Sequence, residues 1–461
     1  MRNRIILAAL TFLIWAGLRA IDDYVTGPEV LTLLYIVAAM MISHSIWLFA
    51  AQGRWRRKLR RAALKETHAA SLRPPTTEAE DAASNWHPWI DIFISAKNEQ
   101  RVIENTIRNF FRIDYDKFFL WIIDDCSTDQ TGSILENLKK EFPRLRVVQR
   151  AKGSYPGKSA ALNDALPLAK GEVVAVFDAD AYVAPDFFHL MLPVLEPEGI
   201  GAVQAQKKIY EQQKGFLVNC QASEYAVDTY FQVGRDIIGG TVELRGNGQM
   251  IKRAALVDVG GWNNKAITDD LDLTMRLLVH KWDLRFCPHA HVWEEGVPTL
   301  KGLLRQRRRW AEGSIRRYLD YIFPLNSPTR VSLVERLDTL AFVTYLVVPA
   351  LICLEVSSEL TRMIMHVPTY GKFLGLISLA VFFCSQINCF VSIRLYRPQM
   401  SLGRALVHSL ECCSYVYAHW MPVIFVSYLQ IIFGKQASTW HRTEHGQVSE
   451  LQPTVVMRDA S

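Results

Sequence analysis

Three carboxylates lie within four positions of the chain, at Asp269, Asp270 and Asp272, and Thr268 precedes them. Like charges at this spacing raise one another's pKa and are costly in a purely structural place. A threonine followed by an aspartate in the first helical turn is typical of a helix start, so Thr268 and Asp269 need no other role. Asp272 can face solvent. Asp270 is the carboxylate left over, and we interpret it as a general base that takes the proton of an acceptor hydroxyl.

Two other acidic clusters each follow an apolar run that is typical of a buried strand. Asp178 and Asp180 come directly after residues 172–177, and Asp125 follows residues 118–123. Two carboxylates spaced by two positions in a turn can hold one Mg²⁺ or Mn²⁺, and Mg²⁺ leaves most of its coordination sites to water and substrate phosphate. A strand-ending turn would need only one aspartate. Asp125 could accept hydrogen bonds from a nucleobase and a ribose, or merely accompany the cap of the helix that follows.

Basic and aromatic side chains supply groups that a diphosphate needs. Lys158 follows a glycine at a predicted helix start, where it either meets a phosphate or is solvated. Gln306, Arg309 and Trp310 are spaced so that they share one face of a helix. Arginine can donate two hydrogen bonds to a diphosphate at once, and an indole is a flat apolar wall. The same helix has basic residues that suit a membrane surface, namely Arg305, Arg307 and Arg308.

A metal site of another kind is the competing interpretation for His289 and His291, which a strand would place on one face. Two features argue against a metal site here. Pro288 directly precedes these residues, and there is no third histidine nearby. Glu294 and Glu295 follow closely. A role in lining an acceptor site explains these two glutamates at least as well as a metal site does.

The elements that must position these residues alternate between strand and helix. Strands are predicted at Trp89–Ser95, Phe118–Ile123, Leu145–Val148 and Glu172–Phe177, and helices at Glu99–Phe111, up to Lys140, and at Gly157–Ala169. This alternation predicts a doubly wound α/β sheet that is mostly parallel. Ligands of such sheets bind outside the carboxyl ends of the strands, which is where the acidic clusters fall.

Apolar segments long enough to cross a bilayer flank this region, and half of the 461 residues are hydrophobic. Three candidate spans have the length of a membrane helix, namely Val30–Ala51, Phe373–Ile393 and Cys412–Phe433. Two further candidates are shorter. Ile5–Leu18 is either a tilted first span or an interfacial segment, and Leu340–Leu354 is expected to extend to Leu337. A basic run follows the second span, and its six positive charges are as many as the net charge of +6. The basic run consists of Arg54, Arg56, Arg57, Lys58, Arg60 and Arg61. Such runs lie on the cytoplasmic side and attract anionic headgroups, so we favour a membrane anchor over nucleic-acid binding.

The chain therefore divides into membrane and cytoplasmic parts. We predict two N-terminal membrane helices in 1–53, a basic run and linker in 54–87, a catalytic domain in 88–325, membrane helices in 326–434 and a polar tail in 435–461. The domain is expected to be cytoplasmic in an integral membrane protein. Eight scattered cysteines without a C-x-x-C pair indicate a reducing compartment, with no disulfide framework or zinc site.

Taken in order, Asp125, Asp178-x-Asp180, Thr268-Asp269-Asp270 and Gln306-x-x-Arg309-Trp310 resemble the motifs of the family 2 inverting glycosyltransferases. The resemblance covers roughly residues 88–325 and implies a GT-A fold, which is Rossmann-like, and a nucleotide-diphosphate sugar donor. It implies that Asp125 binds the uridine, that Asp178 and Asp180 hold the metal and diphosphate, and that Asp270 is the base. Arg309 and Trp310 would hold the leaving group. We assign the remaining candidates to the donor site as well, namely Glu99, Lys158 and Gln306.

Finer motifs are similar to those of the cyanobacterial-type β-monoglucosyldiacylglycerol synthases, which glucosylate diacylglycerol from UDP-glucose. They are Glu243–Gln249, Gly260–Asn263, Ile267–Thr274, Glu294–Val297, Arg309–Gly313 and Arg317–Tyr321. Two departures are Cys126, where the wider family usually has glycine, and Arg308, where the lipid enzymes more often have asparagine. Processive poly-N-acetylglucosamine, cellulose or hyaluronan synthases share the core motifs and are the alternative. About five spans leave little material for a polysaccharide channel, which favours the lipid product.

Overall fold

The computed structural model describes residues 36, 39–58, 86–210, 213–325, 327–366 and 371–434. The predicted span Ile5–Leu18, the start of Val30–Ala51, most of the linker and the polar tail lie outside the described residues. Residues 39–58 form helix α1. The domain boundaries given above remain predictions.

One eight-stranded sheet lies at the centre of the domain. Its strands are β1 Ile90–Ala96, β2 Phe118–Asp124, β3 Leu145–Gln149, β4 Val173–Phe177, β5 Tyr182–Val183, β6 Ile200–Ile209, β7 Gln249–Lys252 and β8 Asp283–Glu294. The spatial order is β3-β2-β1-β4-β7-β6-β8-β5. The first half, β3-β2-β1-β4, is all parallel as predicted, with helices between its strands. The second half is mixed, because β7 runs antiparallel to both β4 and β6.

Helices cover both faces of the sheet and continue beyond it. They are α2 Ile103–Phe110, α3 Thr131–Glu141, α4 Lys158–Ala165, α5 Phe187–Leu195, α6 Phe216–Ile238, α7 Arg253–Asp258, α8 Asp269–Val279, α9 Leu300–Leu325, α10 Leu333–Ile364, α11 Gly371–Tyr396 and α12 Leu402–Phe433. Alternate residues of β1 enter two different cores, with Ile92 and Ile94 on one face and Phe93 on the other. This period of two explains why the strand is apolar throughout: both of its faces are buried.

Among the residues that the structure describes, three helical segments are long and apolar enough to cross a membrane, namely Leu333–Cys353, Ser378–Tyr396 and Leu402–Phe433. They overlap the three C-terminal spans predicted from the sequence. Ser332 begins α10 with a capping box, in which its hydroxyl accepts a hydrogen bond from the Glu335 amide and the Glu335 carboxylate accepts one from the Ser332 amide. The sequence therefore specifies where the first of these helices starts.

A buried ion pair joins these helices to the sheet domain. Asp338 of α10 accepts hydrogen bonds from Arg235 of α6 at 2.8 Å, from His44 of α1 at 2.9 Å and from the Thr241 amide at 2.9 Å. Breaking such a pair leaves an uncompensated buried charge, which typically costs about 3–5 kcal/mol. The contact therefore holds α1, α6 and α10 in one arrangement.

Candidate active site

The carboxyl ends of β1, β2 and β4 meet at one edge of the sheet, as parallel neighbours must. Ala96 at the end of β1 pairs with Asp124 at the end of β2, and the Asp125 amide donates to the Ala96 carbonyl at 2.8 Å. Asp178 directly follows β4, which is the other neighbour of β1. The predicted acidic clusters therefore lie side by side in the tertiary structure.

Asp125 is buried, and basic groups hold it in place. Its carboxylate is paired with Arg150, lies 3.6 Å from Lys97 and accepts a hydrogen bond from the Gly157 amide at 3.3 Å. The next residue, Cys126, has φ 58°, a left-handed conformation that favours glycine. This conformation explains the family's glycine and costs cysteine on the order of 1 kcal/mol.

Lys158 is not a solvated lysine. Its Nζ lies 2.5 Å from the Asp178 carboxylate and donates to the Gly246 carbonyl at 3.1 Å. Burial lowers the pKa of Lys158, but the charges of Asp178 and Asp269 outweigh burial and raise it overall. Lys158 is therefore a fixed cation between the β4 carboxylates and the start of α8.

Asp178 and Asp180 have the chemistry of a partial cation site. The Asp178 side chain is 41 % exposed, whereas Asp180 is buried and accepts a hydrogen bond from the Glu295 amide at 3.2 Å. Across the described part of the chain, no group of three histidine, cysteine or acidic residues could hold a metal ion. Two carboxylate donors fit Mg²⁺ or Mn²⁺ only if water and substrate phosphates complete the coordination.

Asp270 lies in the first turn of α8, close to the loop that contains Gly246. A Cβ at Gly246, where φ is +78°, would lie 3.1 Å from the Asp270 Oδ2, so this loop packs directly on the carboxylate. Burial and the neighbouring charge of Asp269 raise the pKa of Asp270 to about 6. Such a carboxylate is ionised at neutral pH and is more basic than an ordinary aspartate, which suits a general base.

Two expectations for this segment need correction. Thr268 precedes α8 as predicted, but its side chain makes no capping hydrogen bond, because its Oγ1 faces Gly313 of α9. Asp272 does not face solvent. It is buried, its carboxylate is 2.8 Å from the Arg276 guanidinium, and it accepts a hydrogen bond from Tyr321 at 3.2 Å. Asp272 therefore joins α8 to α9.

Helix α9 brings Gln306, Arg309 and Trp310 together, but the sequence interpretation of Arg307 was wrong. Arg307 is fully buried instead of lying on the membrane surface, and it donates to Glu224 at 2.7 Å. Its guanidinium stacks 4.1 Å from the Trp310 ring and also donates to Gln306 at 2.8 Å. Arg307 thus fixes the orientation of the predicted donor-site residues on either side of it.

Arg309 of this helix is partly exposed. Within the ranges that the structure describes, its guanidinium makes no hydrogen bond or ion pair. The neighbouring Arg308 is exposed and donates to Gln430 of α12 at 3.0 Å. Arg309 is therefore available for a diphosphate, whereas Arg308 belongs to the contact between α9 and the last apolar helix.

Lys207 on β6 is a site residue that the sequence reasoning missed. Its Nζ lies 2.9 Å from the Glu294 carboxylate and 5.8 Å from the centre of the Trp310 ring. Burial lowers its pKa, but the charges of Glu294 and Asp178 outweigh burial and raise it overall, and Asp270 adds to the effect. A lysine near the end of an otherwise buried strand was the only signal available.

Glu294 is the last residue of β8 and contacts several side chains of the site. It accepts hydrogen bonds from Tyr225 at 2.5 Å and from Asn247 at 2.9 Å, besides the contact with Lys207. Asn247 in turn accepts a hydrogen bond from the Asp178 amide at 3.2 Å. Glu294 is therefore connected to the donor-site loop, and its role in lining the acceptor site stays a prediction.

The remaining candidates lie away from these contacts. Glu99 is buried in the turn after β1, where its carbonyl accepts hydrogen bonds from the Val102 and Ile103 amides. His289 is exposed and His291 is partly buried, and burial lowers the pKa of His291 to about 3. A structural role on β8 accounts for both histidines.

Comparisons with known proteins agree with this geometry. Residues 87–313 match the family described as glycosyltransferase like family 2. A β-monoglucosyldiacylglycerol synthase from Nostoc sp. is 38 % identical over 372 residues, which cover 79 % of this chain and 78 % of that protein. A poly-β-1,6-N-acetyl-D-glucosamine synthase from Staphylococcus epidermidis is 24 % identical and covers 73 % and 80 % of the two chains.

The fold also has a solved counterpart. The mannosyltransferase PcManGT from Pyrobaculum calidifontis, in complex with GDP-Man and Mn²⁺, superimposes with a TM-score of 0.51 at 19 % identity. It covers 87 % of this chain and all of the other chain. This likeness confirms the predicted GT-A fold. The sequence relationship to the Nostoc enzyme and the match to the family model show that the chain belongs to family 2 of the glycosyltransferases, together with the cyanobacterial β-monoglucosyldiacylglycerol synthases.

Proposed function

We propose that this glycosyltransferase moves glucose from UDP-glucose to 1,2-diacylglycerol and produces β-monoglucosyldiacylglycerol. The observation that carries the proposal is that Glu224 of α6 binds both the site helix α9 and the apolar helix α12. Glu224, which holds Arg307 beside Trp310, also accepts hydrogen bonds from Trp420 at 2.8 Å and Tyr415 at 3.3 Å, both on α12. In this proposal a membrane lipid approaches the site along α12. The name of the Nostoc relative supports the same acceptor and product.

The reaction is a single in-line displacement. Asp270 removes the proton from the lipid hydroxyl, whose oxygen attacks the anomeric carbon from the side opposite the diphosphate. The new glycosidic bond forms as the bond to the diphosphate breaks, so an α-linked donor gives a β-glucoside. Charge grows on the departing diphosphate, where the cations Lys158, Lys207 and Arg309 stabilise it more strongly than in the ground state.

The donor lies along the carboxyl ends of the strands in this proposal. Asp125 accepts hydrogen bonds from the uracil and ribose, with Glu99 in the turn after the neighbouring strand β1. Asp178 and Asp180 would hold a divalent cation, Mg²⁺ or Mn²⁺, which supplies positive charge to the leaving diphosphate. Gln306 and Trp310 complete the wall on the α9 side, where Arg307 keeps both side chains in place.

The same proposal places residues 88–325 in the cytoplasm, since nucleotide sugars are found there and the basic run that begins in the last turns of α1 favours that side. The spans on both sides would make the chain an integral membrane protein. The test is to incubate the purified full-length protein with radiolabelled UDP-glucose, a divalent cation and diacylglycerol in mixed micelles. Label that partitions into the organic phase as a β-glucoside supports the proposal. Label confined to a high-mass aqueous polymer would instead support the processive synthase.

A further inference from the structure

A cavity of about 310 Å³ lies between α1 and the end of α6, well outside the site described above. Its lining includes Trp47, Arg54, Trp55 and Lys58 from α1 and Ile238 from α6. The volume is at the lower end of the range of roughly 300–1,000 Å³ that is usual for small-molecule sites. The cavity thus has a size and a lining that suit one small polar group.

The lining is cationic and aromatic. Within the described ranges, no acidic side chain lines the cavity, and neither Arg54 nor Lys58 makes an ion pair. Lys58 lies 6.0 Å from the centre of the Trp55 ring, and Trp55 is 43 % exposed. A ligand that matches this lining carries negative charge and tolerates apolar neighbours.

The walls of the cavity belong to two helices, α1 and α6, that pack closely on each other. Gln52 of α1 donates to the Tyr230 carbonyl at 2.9 Å, and a Cβ at Gly234 would lie 3.1 Å from Leu48. The cavity is therefore built into the contact between two helices. It does not depend on the position of a loop.

The position of the cavity along α1 indicates that its ligand is a lipid. Ile46 and Phe49 on α1 are 61 % and 55 % exposed, which is expected of residues that face acyl chains. Arg54 follows Phe49 by five residues, about 7–8 Å along a helix, a depth at which headgroups and aromatic belts are found. Basic pockets between helices at the cytoplasmic interface bind anionic headgroups.

We propose that this cavity binds the phosphate headgroup of one anionic phospholipid, with Arg54 and Lys58 as its ligands. The alternative is that both cations merely compensate the partial negative charge at the C-terminus of α6. That end is already capped, since the Gly239 and Gly240 amides donate to the carbonyls of Asp236 and Arg235. The proposal does not depend on which sugar or acceptor the enzyme uses.

Native mass spectrometry of the full-length protein in neutral detergent tests the proposal, with phosphatidylglycerol and phosphatidylcholine as probes. We expect one phosphatidylglycerol per chain and no comparable retention of phosphatidylcholine. The double substitution Arg54→Gln with Lys58→Gln should weaken phosphatidylglycerol about tenfold or more, since each cation near a headgroup contributes about 1 kcal/mol. Glucosyl transfer in neutral micelles should be unchanged, which also shows that the variant is folded.

Arg57→Gln is the matched control for Arg54→Gln, because Arg57 belongs to the same basic run but donates to the Gly53 carbonyl and does not line the cavity. We expect the control to retain phosphatidylglycerol. If Arg57→Gln weakens phosphatidylglycerol binding as much as Arg54→Gln does, the lipid is attracted to the basic run as a whole, and the proposal is overturned. Retention of phosphatidylcholine as strong as that of phosphatidylglycerol would overturn it too, and so would displacement of the lipid by stoichiometric inorganic phosphate.

Discussion

Gly313 of α9 lies directly against Thr268, so closely that a Cβ at position 313 would stand 2.4 Å from the Thr268 Oγ1. Thr268 precedes α8, whose first turn contains Asp270. The helix that carries Arg309 and Trp310 is thereby held at a fixed distance from the proposed base. This relationship explains the need for glycine at this position, since any larger residue must push the two helices apart.

Gly313→Ala is therefore expected to lower kcat roughly 10- to 100-fold, the scale of a misplacement of about 1 Å in an active site. Transfer from UDP-glucose to diacylglycerol by the purified variant measures the effect. Gly403→Ala is the control, since a Cβ at Gly403 meets nothing within 4 Å. Adding Thr268→Ala to Gly313→Ala should restore part of the activity. A fully active Gly313→Ala variant would show that the contact does not set the geometry.

Asp270→Asn should lower kcat by about 10²-fold or more with little change in the affinity for UDP-glucose, because only the proton acceptor is lost. Isothermal titration of UDP-glucose and a transfer assay measure the two quantities. Asp272→Asn is the comparison. It breaks the contact with Arg276, so we expect a lower Tm with near-normal turnover of the folded enzyme. Near-normal turnover in Asp270→Asn would remove Asp270 from the role of base.

The pH dependence of kcat/KM should report the same carboxylate. The pKa of Asp270 is raised to about 6, so the protonated, inactive form persists up to that pH. We expect kcat/KM to fall as the pH drops below about 6 and to be constant above it until other groups titrate. In Asp270→Asn this fall of kcat/KM at low pH, the acid limb of the profile, should be absent. An acid limb that survives in that variant would assign it to another group.

Lys207→Met should lower kcat/KM for UDP-glucose about tenfold, since a buried cation next to Glu294 and Trp310 is lost. The acid limb should also move to higher pH, because removing a positive charge near Asp270 makes its ionisation less favourable. Lys208→Met is the matched control. Lys208 lies on the other face of β6, 5.9 Å from the centre of the Trp293 ring. If Lys207→Met and Lys208→Met change kcat/KM for UDP-glucose equally, Lys207 does not contribute to the site.

Arg309→Ala should raise the KM for UDP-glucose and lower kcat, because the proposed diphosphate cation is removed. Arg308→Ala loses the same charge one residue earlier, but its guanidinium contacts Gln430 on α12. We expect that control to retain donor affinity. Steady-state kinetics with UDP-glucose varied at saturating diacylglycerol measures both. A donor KM that is unchanged in Arg309→Ala would contradict its assignment.

The sequence by itself determined the parallel half of the sheet and the place of the acidic clusters. β1, β2 and β4 are short apolar runs, each followed within two residues by Asp125, Asp178 or a polar turn. Buried parallel strands require such runs, and the carboxyl ends of neighbouring parallel strands must share one edge. The helix of Gln306, Arg309 and Trp310 was likewise predictable, because residues three and four positions apart share a helix face.

Only the tertiary structure decided which charges are buried and which residues they contact. Arg307 and Arg308 are adjacent and chemically identical in the sequence, yet one is paired with Glu224, 83 residues away, and the other is exposed. Lys207 reaches Glu294, which lies 87 positions further along the chain, because β6 and β8 pair in parallel. Local periodicity specifies which face of its own element a residue occupies. It does not specify what the other elements place opposite that face, and burial and pKa depend on those neighbours.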